Sequence, residues 1–387
     1  MTSAQTTGAA GPRPQQAGIA GRRIALIFGS SGIGGAERQG LVLARGLRDR
    51  HGCLVTVCFP GAPGPVADLC AQAGLAWVAA PTRPESRFGV VSAVKARIAA
   101  RQVLRQVAAE ACIGLTSPGN LVAAAAGRMA AVPVIWGQRD EGLAAFPAWL
   151  ERQGLARCAA AVANGPGAQA RLRELGVRAE RLHLIANGIA IPDAGGDAAA
   201  DAWRGKLGLS ATDQVVVMVA NLTRNKDHAT VLRAWAAVEQ RRTGAHLLFA
   251  GKDGDGAAAV RALVATLGLA RVHCLGAVAD VPGLCRHCDL AVFSSRSEGL
   301  PNGVLEPMAA GLAVVASDIP GCRAALGNGP FFAPGDGAGL ADLVTGLLND
   351  DHRRVALGAA NRARIAAEFS PEAFIDRHAG ILASLLR

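Results

Sequence analysis

Strand-sized apolar runs alternate with helix-patterned stretches along nearly the whole chain, in two consecutive series. The first series holds RIALIF from Arg23, CLVTVCF from Cys53, CIGLTS from Cys112, PVIWG from Pro133, AAAVANG from Ala159 and RLHLIANGI from Arg181. The second holds QVVVMVANL from Gln214, HLLFAG from His246, RVHCLG from Arg271, DLAVFSS from Asp289 and AVVASD from Ala313. Between them lie stretches such as RQGLVLARGLRDR, whose Leu41, Leu43, Ala44 and Leu47 recur at helical spacing. Continuous apolar strands separated by helices are what a parallel sheet needs, because each crossover lays a helix over a sheet face. From Gly337 the chain reads as two or three helices. The stretch IPDAGGDAAADAW between the series reads as a linker. The fold class is therefore α/β: two Rossmann-like, doubly wound domains facing a central cleft at the carboxyl ends of both sheets.

Several function classes fall away on composition. No apolar run approaches the roughly 20 residues that cross a bilayer. The first 21 residues lack a basic segment followed by an apolar one, so they read as a leader without packed structure, and the chain is expected to be cytoplasmic. Nine cysteines are scattered, with one CxxC pair, Cys285 and Cys288 around His287. A structural metal site would need a second pair, and Cys274 and His273 stand alone; ordinary reduced thiols are expected. The net charge of +10 is uneven, with 21 Lys and Arg against 10 Asp and Glu in residues 1–190, and 19 against 20 thereafter. The basic half is expected to meet something anionic, a phosphate-bearing acceptor or a membrane face. Arg97, Arg101 and Arg105 form a stripe on a helix expected over 89–109, either a solvated face or a docking face for acidic lipid. Nucleic acid is disfavoured, since aromatics make up 4% and no basic cluster is interleaved with them.

Three loops at strand ends carry the chemistry. In SSGIGGAER, Gly32, Gly34 and Gly35 follow the first strand and open a helix, where amides and helix dipole can receive an anion. The spacing is not the dinucleotide G-x-G-x-x-G, no acid ends the next strand, and a packing turn would also explain the glycines. In VANLTRNKDH, Arg224 and Lys226 stand at a strand's carboxyl end before a helix expected to be capped by Asp227. Two cations there suit a diphosphate, or a solvated loop. In SEGLPNGVLE, Pro301 suits a first helical turn, leaving the N–H groups of Asn302, Gly303 and Val304 free with the positive helix end behind them. Glu298 precedes that turn and Glu306 follows one to two turns into the helix. Carboxylates would repel the phosphate such a seat takes, so they read as sugar-binding residues flanking it; exposed helix glutamates are the alternative.

The series in this order resembles the retaining, nucleotide-sugar-dependent glycosyltransferases of family four, which have the GT-B fold, over roughly Arg22 to Gly380. The strongest part is E-x7-E, Glu298 and Glu306, in SEGLPNGVLEPMAAGLAVVASDIPG. GGAER, NGI at 187–189, NKDH, FAGKDGDG at 249–256 and VHCLGAVADVPGLCRHCDL support it. The resemblance implies that Glu306 binds the ribose hydroxyls, and that Glu298 binds the transferred sugar and helps stabilise an oxocarbenium-like state. Lys226, helped by Arg224, would neutralise the leaving diphosphate; Gly34 and Gly35 would bring amides against it or the acceptor. Backbone around Ala279–Val281 would hold the base, with Asn221, Leu300, Asn302 and Gly303 completing the substrate-binding set.

The resemblance further implies a UDP- or GDP-sugar donor, no metal or other cofactor, and front-face attack in which the leaving phosphate takes the acceptor's proton. A lipid-linked oligosaccharide or cell-surface polysaccharide precursor is the expected acceptor, with peripheral association at the anionic inner face of the cytoplasmic membrane. The expected divisions are a leader 1–20, an acceptor-side domain 21–190, a nucleotide-sugar domain 191–368, and a C-terminal helix 369–387 crossing back to the first domain. Two departures stand out. Asn221 replaces an Arg common in the family, and PVIWGQRDEG lacks the His often placed near the donor sugar, a place left to Gln138, Arg139 or Asp140. A same-fold epimerase or phosphorylase, and a non-catalytic nucleotide-sugar-binding protein, are the alternative functions.

Overall fold

A computed structural model describes residues 18–80, 90–139, 146–192 and 204–387, with side chains from residue 98 onward in the helix that starts at 90. Most of the expected leader, Asp140, the Arg97 side chain and linker residues 193–203 lie outside the described residues.

The first sheet contains β1 (Arg23–Ile27), β2 (Leu54–Pro60), β3 (Ala76–Ala80), β4 (Ala111–Leu115), β5 (Val134–Gln138), β6 (Ala160–Ala163) and β7 (Leu182–Leu184). Its order is β3-β2-β1-β4-β5-β6-β7, and every described pairing is parallel. The second contains β8 (Gln214–Val219), β9 (Ala245–Ala250), β10 (Val272–Gly276), β11 (Leu290–Phe293), β12 (Val314–Ser317) and β13 (Phe331–Phe332). Its order is β10-β9-β8-β11-β12-β13, again parallel throughout. Strand order reverses between β1 and β4 and between β8 and β11, so a crevice opens at the carboxyl edge of each sheet. The doubly wound pair that the alternation predicts is therefore present. Helices on both faces bury every residue of β4, β5, β6, β11 and β12, which is why these strands read as unbroken apolar runs.

Two strands escape sequence reading for physical reasons. β3 is an edge strand with no fully buried residue, and Trp77 is 36% exposed, so its apolar pattern is weak. β13 has only two residues.

The tail beyond Gly337 forms three helices, Gly337–Asn349, Asp351–Glu368 and Pro371–Leu385. The last packs on the first helix of the chain, Gly35–His51, so that Phe374, Ile375, Ala379 and Leu382 share a core with Leu41, Leu43 and Leu47. Close approach requires Gly46, because a Cβ there would sit 2.1 Å from Ile375 Cδ1. Arg50 and His51 secure the contact through Asp376, at 2.9 and 2.8 Å. The chain thus passes between the lobes twice, and the crossings are tied together: Ile189 N–H donates to Phe369 O at 2.8 Å. Buried Gln39 pairs its amide with both polar groups of Gly188, at 2.9 and 3.0 Å.

Truncating Ile375 to Ala removes a buried side chain from the seam between first and last helices. We expect a loss of about 2–5 kcal/mol in urea unfolding.

Candidate functional site

A cavity of about 300 Å³ lies between the lobes at the carboxyl ends of both sheets. Ten of the twelve catalytic and substrate-binding residues expected from sequence line it: Gly34 and Gly35 on the first lobe, and Asn221, Lys226, Val281, Glu298, Leu300, Asn302, Gly303 and Glu306 on the second. Arg224 and Ala279 do not. The segment Arg224–Lys226 is a 3-10 turn, in which residues two apart point in different directions. Lys226 turns into the cleft while Arg224 is exposed, its backbone N–H held by Asp255 at 3.1 Å. Ala279 is exposed beside Val278 and Val281, which face the cavity.

Lys226 forms an ion pair with Glu298 inside the cavity. Ser295 Oγ donates to Glu298 Oε1 at 2.7 Å, and the ammonium lies over the Phe293 ring at 5.3 Å. The Glu298 loop leaves no room for side chains: a Cβ on Gly321 would lie 2.3 Å from Glu298 O, and one on Gly299 2.6 Å from Asn164 Oδ1. Asp227 stands at the N-cap position of the helix His228–Arg241, but it does not cap. Its backbone is left-handed, with φ +41°, and its carboxylate accepts from the Thr230 hydroxyl at 2.9 Å. The bend turns Lys226 inward at the cost of strain.

The helix Asn302–Ala309 begins with Pro301 at its N-cap, just outside the first turn, and no side chain caps it. Asn302 and Gly303 line the cavity at this start, whereas the Val304 N–H, expected to be free, donates to Pro301 O at 3.1 Å. Gly303 is required here, since a Cβ would lie 2.1 Å from Val219 O. Glu306, on the same helix, is half-buried in the cavity wall. Burial pushes its carboxyl up to about 7, against the pull of Arg38 on the opposite lobe.

The first helix differs from what its glycines suggest. Glu37 folds back so that its own N–H and that of Gly34 favour its carboxylate, with the Ser30 hydroxyl at 3.4 Å. That helix start already faces an anion, although burial raises the Glu37 pKa. Gly35 serves closure instead, its carbonyl accepting from Asn302 Nδ2 at 3.3 Å.

Several cavity residues were not singled out from sequence. Arg38 donates to Val278 O at 3.3 Å and Lys252 to Ile33 O at 3.1 Å, both across the cleft. Asn187 Nδ2 donates to Asn302 Oδ1 at 2.7 Å and to Leu300 O at 3.2 Å. Each lies inside a quoted motif, GGAER, FAGKDGDG or NGI, but spacing along a chain does not tell which lobes touch. Of the three residues set against the missing His, Gln138 is buried and accepts from Trp136 Nε1 at 2.8 Å, Arg139 lines the cavity, and Asp140 is outside the described residues. Cys285 and Cys288 are buried, and burial pushes both thiols up. Among the described residues no three metal-ligating side chains gather.

Residues 33–191 match the family model described as Glycosyltransferase Family 4, and residues 213–350 one described as Glycosyl transferases group 1. The lipopolysaccharide core biosynthesis glycosyltransferase LpsE of Rhizobium meliloti is 30% identical over 58% of this chain and 64% of its own length. The N,N'-diacetylbacillosaminyl-diphospho-undecaprenol alpha-1,3-N-acetylgalactosaminyltransferase of Campylobacter jejuni is 36% identical over 28% of this chain and 29% of its own. The chain thus spans less than two thirds of either relative. Among solved structures, Anabaena Alr3699/HepE in complex with UDP and glucose superposes with a TM-score of 0.81 at 23% identity, over 94% of this chain and 100% of that one. That likeness shows the fold.

Glu306 carries a stability signature. Its folded pKa lies above the model-peptide value, so burying the ionised form costs stability as pH rises from about 4.5 through 7. We expect Glu306→Gln to be more stable than wild type at pH 8 by about 1–3 kcal/mol, with the gain gone below pH 4.5. Urea unfolding at the two pH values measures it.

Proposed function

The chain belongs to the family-four glycosyltransferases, and on that premise we propose that it is a retaining hexosyltransferase using a UDP- or GDP-sugar. The proposed acceptor is a lipid-linked oligosaccharide or cell-surface polysaccharide precursor. One observation carries the reading: Glu298 and Glu306 line a single cavity on either side of an uncapped helix start, with Lys226 between the lobes beside them.

The leading amides of Asn302–Ala309 seat the diphosphate, and Lys226 exchanges Glu298 for a phosphate oxygen as the donor enters. Released from its ion pair, Glu298 accepts hydroxyls of the transferred sugar and offsets positive charge growing at its anomeric carbon. Glu306 accepts from the ribose hydroxyls, and backbone near Val278 and Val281 takes the base. The acceptor hydroxyl attacks the anomeric carbon on the face the phosphate leaves. That phosphate oxygen takes the hydroxyl proton, so configuration is retained without an enzymic nucleophile. Charge at the phosphate is met by Lys226 and amides, and no metal is assigned to the step.

Named activities of the partial relatives, on lipopolysaccharide core and on an undecaprenol-diphosphate-linked sugar, support a lipid-linked acceptor. The UDP and glucose in HepE support a UDP-sugar donor. A peripheral site at the inner face of the cytoplasmic membrane follows from the basic first half. The described residues contain no helix long and apolar enough to cross a membrane, while Arg105 and 47%-exposed Ile98 share one open helix face.

Screening UDP-, GDP- and ADP-sugars for thermal stabilisation should select one base. Glu306→Ala is expected to weaken that donor roughly 10- to 100-fold, and Glu298→Gln to lower kcat more than affinity. Wild-type binding and turnover in both variants would remove the assigned roles. Transfer should persist in EDTA. Sedimentation with anionic vesicles should carry the protein down at low salt and release it at about 0.5 M, where the Debye length falls to a few ångströms.

A further inference from the structure

Arg139 follows β5 directly and forms part of the cavity's first-lobe wall. Its guanidinium is held in place before any ligand arrives. Nη1 donates to Asn187 Oδ1 at 2.8 Å, and the plane lies over the Phe374 ring of the last helix at 5.9 Å. Asn187 is itself pinned by Leu300 and Asn302, so the fork cannot swing freely. Nε is enclosed without an acceptor, which leaves Nη2 as the edge of the fork available to the cavity.

Several enclosed cations meet a carboxylate directly. Arg171 meets Glu151 at 2.7 Å, Arg354 meets Asp351 at 2.8 Å, and Lys226 is paired with Glu298. Arg139 has only a neutral amide, and no carboxylate of a described residue within 4.0 Å. Burial lowers its pKa to about 10 against the opposing pull of the Glu37 carboxylate, so it stays charged at neutral pH. A half-buried cation whose direct partner is neutral, with Glu37 acting on it only from beyond 4.0 Å, gains when an anion arrives beside it. Packing over Phe374 and the bond to Asn187 account for a side chain of this shape, and Glu37 favours its charge without contacting it, so the guanidinium edge toward the cavity keeps room for an anion.

We propose that Arg139 is a substrate-binding residue that takes an oxyanion from the first-lobe side, opposite Lys226. Two groups offer that chemistry: a phosphate oxygen of the donor, or a carboxylate on the transferred sugar. Because Asn187 links Arg139 to Asn302 at the uncapped helix start, the fork faces the seat assigned to the diphosphate and the sugar next to it. The Nη2 edge can donate a charge-assisted hydrogen bond to an oxygen of either group. Its prior immobilisation reduces the entropy lost on binding. The inference rests on the nucleotide-sugar reading, but one arm of its test does not.

Wild type, Arg139→Gln and Arg139→Lys are titrated calorimetrically with inorganic pyrophosphate, UDP, UDP-glucose and UDP-glucuronate, and with GDP, GDP-mannose and GDP-mannuronate. If the group is a phosphate oxygen, Arg139→Gln weakens pyrophosphate, nucleotide and all sugars of the accepted base alike, by about 10- to 100-fold. If it is a carboxylate, the loss is confined to the uronate donors. Arg139→Lys, which keeps the charge without the fork, should lose less. Affinities within about twofold of wild type for every ligand, with only a lower Tm, overturn the proposal, as does a loss confined to neutral-sugar donors. Should Arg139→Gln not fold, unchanged anion affinity in Arg139→Lys overturns it, because the Nη2 donor fixed by the Asn187 bond is then irrelevant. Pyrophosphate binding that depends on Arg139, without nucleotide binding, would sink the transferase reading and keep the oxyanion site. No binding of either to wild type would sink both.

Discussion

Parallel strand pairing is the constraint from which the site follows. A strand that pairs in parallel with its neighbour must be reached by a crossover, and the crossover helix starts at the carboxyl edge of the sheet. Each sheet therefore gathers helix N-termini, with their unpaired amides and partial positive charge, along one edge. In this chain the two carboxyl edges face each other, bringing the starts of Gly35–His51 and Asn302–Ala309 to opposite walls of one cavity. Return of the last helix to the first lobe makes that opposition stable, because the two crossings are joined through Ile189, Phe369, Gly188 and Gln39.

The two helix starts are treated differently. Glu37 folds onto the first, whereas Pro301 caps the second with no carboxylate. The second start is thus the open one, and Lys226 lies in the same cavity, paired with Glu298. The facing lobe contributes Arg38 and Arg139, and Lys252 closes the mouth. Two acids, Glu298 and Glu306, temper these cations, and burial keeps Glu306 near its titration point. A neutral, hydroxyl-rich group and a phosphate can both find partners in such a mixture, which neither a wholly basic nor a wholly acidic cleft would allow.

Much of this was legible beforehand. Buried strands announce themselves as apolar runs, and the glycine, proline and acidic positions of Ser297–Glu306 mark a strand-to-helix turn on chemical grounds alone. Strands β3 and β13 were illegible because an exposed edge and a two-residue bridge leave no apolar period. Asp227 shows a similar limit: its residue type suits an N-cap, but the left-handed bend directs its carboxylate to Thr230.

Local order and residue chemistry therefore determined, from sequence alone, two doubly wound sheets, a Gly-rich first turn, and an acid pair set around a helix start. Tertiary structure alone decided that Lys226 and not Arg224 enters the cleft, that Arg139 and not Gln138 lines it, and that Arg38, Asn187 and Lys252 line it too. Periodicity and turn chemistry depend on neighbours in the chain and can be read along it. Which charges share a cavity depends on the direction each side chain leaves its backbone and on the approach of residues more than a hundred positions apart, as with Asn187 and Asn302.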